Sequence, residues 1–63
     1  SMETTLMPTP KEIKDAFDAA DEQFGGDKST EFLAAYVATD LMIDYGDVFE
    51  GLYLHAKEQG WVR

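Results

Sequence analysis

Proline and glycine cut this chain into three stretches, each long enough for a short helix and for little else. Pro8 and Pro10 forbid an early helix, so residues 1–8 read as an extended arm. Ser1 ahead of Met2 reads as a cloning remnant. Thr9-Pro10-Lys11-Glu12 is a capping box. Thr9 caps, Pro10 suits the first helical position, and Glu12 reaches back to the Thr9 amide. A first helix is therefore expected over about 10–24, with Ile13, Phe17, Ala20 and Phe24 on one face. Gly25-Gly26 ends it. A second helix is expected over about 30–43, capped by Ser29 or Asp27. Its apolar members are Phe32, Leu33, Tyr36, Val37, Leu41 and Met42. Asp44-Tyr45-Gly46 reads as a turn. Asp47-Val48-Phe49-Glu50 is a second capping box, opening a third helix over about 48–59. Gly60 stops that helix, and Trp61 is placed to fold back onto its last turn. The expected fold is all-α: a compact three-helix domain over 9–63 behind the arm.

A chain of 63 residues buries only about 60% of its unfolded surface, so stability is marginal. There is no cysteine, hence no disulfide or thiolate metal site, which fits a cytoplasmic protein. The hydrophobic share of 44% is too high for a disordered acidic tail. No apolar run can span a bilayer, and no basic region followed by an apolar run marks a signal peptide. The third helix is apolar nearly all round, through Val48, Phe49, Leu52, Tyr53, Leu54 and Ala56. Such a helix is covered on more than one side, here by neighbouring helices and the arm (Leu6, Met7) or by a second molecule.

Catalysis requires a nucleophile, an acid–base pair or a metal in a shielded pocket. The single His55 lies between Leu54 and Ala56 and reads as a packed side chain. Ser29 and Thr30 read as a helix start. A calcium loop begun at Asp40 places Met42, Asp44 and Gly46 in order, but Gly51 stands where the bidentate Glu belongs. Asp15, Asp18 and Glu22 share a helix face, which cannot wrap a calcium ion. A pocket of about 300 Å³, the low end for ligand sites, is hard to fit in so short a chain. The expectation is a non-catalytic protein with no cofactor and no metal.

Residues 35–62 resemble the core of helix-turn-helix and winged-helix domains. Ala35 to Leu41, the turn at 42–46, Val48 to Leu52 and the Gly60-Trp61-Val62 ending carry the likeness. The resemblance implies DNA binding through the first turn of the later helix. That turn holds Asp47 and Glu50 after Asp44, and the stretch Ser29 to Ala56 has five acids and no Lys or Arg. DNA contact needs several basic residues on phosphates, so direct nucleic acid binding is not expected.

Thirteen acids against five bases leave a net charge of −8. Such a surface repels phosphates and anionic lipid and attracts basic protein. From Asp15 to Glu50 there are ten acids and one base, Lys28, so the acids are expected to stand unpaired within their own region. The composition resembles that of phage and mobile-element counter-defence proteins, which implies an inhibitor mimicking nucleic acid. The candidate surface is Asp15, Asp18, Asp21, Glu22, Asp40, Asp44, Asp47 and Glu50. The alternative is a regulatory or assembly adaptor, homodimeric in its simplest form, that binds through Tyr45, Phe49, Tyr53 and Trp61.

Overall fold

The computed structural model describes residues 7–62. The readings that fall on Ser1, Leu6 and most of the arm lie outside the described residues, as does Arg63. Three helices run in chain order, α1 (Pro10–Gln23), α2 (Thr30–Leu41) and α3 (Tyr45–Glu58). Each packs against the other two, α1 most extensively against α3.

The starts follow the side chains. The Glu12 amide donates to the Thr9 hydroxyl at 3.1 Å, and the Thr9 amide donates to the Glu12 carboxylate at 2.8 Å, completing the expected box. Ser29, and not Asp27, caps α2 by accepting from the Phe32 amide at 3.1 Å. α3 departs from expectation. It begins at Tyr45, three residues early, because Asp44 and not Asp47 is the cap. The Asp44 amide donates to the Asp47 carboxylate at 3.3 Å, so Asp47 serves as the third helical residue of a box three residues upstream of the expected one. Gly46 is therefore helical rather than part of a turn.

The ends share one design. The amide of Gly26 reaches back to the Asp21 carbonyl at 3.0 Å, that of Ile43 to Ala38 at 3.0 Å, and that of Trp61 to Ala56 at 2.9 Å. Each closes the last turn with the six-to-one bond of a Schellman motif. In α2 the left-handed residue is Met42, at φ 60°. The helix thus stops at Leu41, two residues short of expectation.

The core is aliphatic and rich in alanine and valine: Ile13 and Ala20 from α1, Leu33, Ala34, Val37 and Ala38 from α2, and Val48 from α3. Phe17, Phe24, Leu41, Ile43, Phe49 and Leu52 pack around it, partly buried. Three expected apolar members sit further out than their periodicity suggests. Phe32 and Tyr36 are exposed, and Met42 is 89% exposed. Small residues let the helices approach closely. At Gly51 of α3 an added Cβ would stand 2.5 Å from Ile13 Cδ1 and 3.1 Å from Ile13 Cβ, so a side chain there requires Ile13 to shift. No helix among the described residues is long and apolar enough to cross a membrane.

Candidate functional site

The eight candidate carboxylates fall into groups with different local roles. Asp15 and Asp18 are paired by bases one turn upstream: Lys11 Nζ lies 2.9 Å from Asp15, and Lys14 Nζ lies 2.6 Å from Asp18. Both bases lie outside the Asp15–Glu50 stretch, so these two acids are paired from beyond their own region. The spacing i to i+4 puts Lys and Asp on one helix face, and apart from the half-buried Lys14 the partners are exposed, so each pair contributes only tenths of a kcal/mol, about 0.3–0.5.

Asp44 and Asp47 open α3, where negative charge meets the positive end of the helix dipole. Their presence has a structural explanation. Asp21, Glu22 and Asp40 have the opposite placement. They occupy the last turns of α1 and α2, and neither turn contains a basic residue. A carboxylate at a helix C-terminus faces the negative end of the dipole and costs about 0.3–1 kcal/mol. All three are exposed and none forms a salt bridge among the described residues. Only α3 ends with bases in its last turn, His55 and Lys57.

The carboxylates do not gather in one patch. Asp21 and Glu22 flank the loop into α2. Asp40 and Asp44 lie at the other end of α2, about 15 Å along its axis from Thr30 at 1.5 Å per residue. Glu50 and Asp47 stand one helical turn apart on α3, on the edge of a groove of about 180 Å³. Met7, Pro8, Pro10, Ile13, Gly51 and Leu54 line the rest of it. Sequence reasoning missed this groove. The signals available were a glycine in a helix interior and the Pro8–Pro10 pair that steers the arm.

The apolar alternative is partly assembled. Tyr45 and Phe49 meet edge to face, 5.2 Å between ring centroids, and Tyr53 follows at the next i+4 step, half exposed. Trp61 leaves this stripe. Its ring packs on His55 at 5.5 Å, held there by the fold-back expected after Gly60. α3 is therefore covered on one side only: Tyr45, Tyr53 and Leu54 remain exposed. His55 is only 8% exposed, and its Nδ1 has no hydrogen-bond partner among the described residues. Phe24, Phe32 and Tyr36 form a second aromatic group by edge-to-face contact, with Lys28 Nζ 5.1 Å from the Phe32 ring centre.

Among the described residues no group of three His, Cys, Asp or Glu could hold a metal ion. No protein-family model, curated protein or solved structure matches the chain.

Proposed function

We propose that this chain is a non-catalytic acidic protein that binds another protein by docking carboxylates on a basic surface, in the manner of a nucleic-acid mimic inhibitor. The observation that supports the reading is the placement of Asp21, Glu22 and Asp40. The helix dipole disfavours them, and no base offsets them within their own turns. The dipole would favour Lys or Arg at those ends instead. The capping acids Asp44 and Asp47 and the exposed Glu50 continue the negative surface from Asp40 into the first half of α3, while Asp21 and Glu22 form a separate acidic end. The cysteine-free sequence suits a cytoplasmic setting for such an encounter.

The test is partner capture from lysate at two salt concentrations. Screening weakens contacts between exposed charges, so capture should fall steeply as salt rises. Capture that persists at high salt contradicts the reading.

One observation favours a second reading, an adaptor or homodimer that binds through α3. The stripe of Tyr45, Phe49 and Tyr53 is partly solvent-facing, and aromatics of this kind anchor interfaces. In that case Tyr53→Ala abolishes capture at any salt, and sedimentation at several concentrations shows self-association.

A further inference from the structure

We propose that the groove between the arm, α1 and α3 receives the side chain of a single arginine from the partner's basic surface; this rests on the proposed docking function. The groove combines two chemistries. Pro8, Pro10, Ile13 and Leu54 supply apolar lining, and Asp47 and Glu50, one helical turn apart on α3, supply carboxylates. At about 180 Å³ it lies below the range of small-molecule sites and suits one long side chain. An arginine has both parts needed to fill it. Its aliphatic stem covers apolar surface while its charged head seeks carboxylates. The planar guanidinium can span two acceptors at once, which a lysine ammonium does less well.

Charge complementarity selects this occupant over an apolar one. No basic side chain lines the groove among the described residues, and the Glu50 carboxylate has no hydrogen-bond or ion-pair partner there. Asp47 already accepts from the Asp44 amide, which fixes its carboxylate near the edge before any partner arrives. Preorganised acceptors of this kind lower the ordering cost of binding. Gly51 leaves the Ile13 side chain in close contact with α3, since a Cβ there would require Ile13 to shift.

The test is an amide-shift titration of the full chain by nuclear magnetic resonance at low salt. The probe is a blocked Gly-Arg-Gly peptide, compared with the same peptide carrying citrulline, the uncharged isostere of arginine. The arginine peptide should shift Ile13, Glu50, Gly51 and Leu54 saturably, and the citrulline peptide should bind about threefold more weakly or worse, the scale of one exposed ion pair. Leu54→Ser, which leaves the charge unchanged, and Glu50→Gln should each weaken the arginine peptide by a similar factor. Equal binding of both peptides overturns the proposal. So do shifts spread without saturation over Asp21, Glu22 and Asp40, and so do contacts in the free chain that put Leu6 in the groove. If the groove residues fail to respond while partner capture stays salt-sensitive, the arginine slot falls alone. If capture is indifferent to salt, the docking function beneath it falls as well.

Discussion

Gly25, Met42 and Gly60 each hold the left-handed conformation just past a helix end. Only the methionine carries a Cβ, which crowds the neighbouring carbonyl in that region and costs about 1–2 kcal/mol. Its side chain returns little, being 89% exposed. Met42→Gly should therefore raise stability by about 1 kcal/mol, read as a higher urea midpoint at unchanged slope. A lower midpoint would mean that the side chain makes a contact in solution that its exposure hides. Gly51 has the reverse logic. Its φ is ordinary, and what it provides is space against Ile13. Gly51→Ala should destabilise by about 1 kcal/mol, with overpacking exceeding the gain in helix propensity. Ile13→Val, which removes the nearest atom, should make the double variant less than additive. Gly46→Ala has open space and should be neutral or stabilising by up to about 1 kcal/mol.

At the scale of the helices, the three segments were legible in the sequence because caps and stops act over three or four residues. Thr9 with Glu12, Ser29, Gly25 and Gly60 each set an end through contacts within their own turn. The two boundary errors came from the same kind of residue making a competing choice. Asp44 and Asp47 each have an acid three residues on, and local pattern cannot say which cap wins. Met42 adopts a conformation that its residue type disfavours, so periodicity ran past it. The core was less legible. Close helix crossings select Ala34, Ala38 and Gly51, whereas a search for large apolar residues points to Phe32 and Tyr36, which stay exposed. The candidate acids were visible, but their separate roles were not, because pairing and dipole position depend on where each helix stops. One consequence is measurable. Asp21→Lys and Asp40→Lys should each stabilise the fold by about 0.6–2 kcal/mol, twice the term for one charge at the helix end, while weakening partner capture. Loss of stability in both would remove the argument that these acids oppose the helices they end.

Taken whole, the molecule carries −8 on an aliphatic core. A domain of this length has about 3–9 kcal/mol of stability at 0.05–0.15 kcal/mol per residue. Self-repulsion among exposed acids draws on that margin. Added salt should accordingly raise the thermal midpoint, while the same salt weakens capture of a basic partner. Opposite responses of folding and binding to one variable are what a functional acidic surface implies. The most direct measurement compares the wild-type chain with the triple variant Asp21→Asn, Glu22→Gln, Asp40→Asn. Partner capture and urea midpoint are measured for both in the same low-salt buffer. The account predicts that the variant is more stable by about 1–3 kcal/mol, at 0.3–1 kcal/mol per removed charge, and captures markedly less partner. A variant that captures as much partner as the wild type would contradict it.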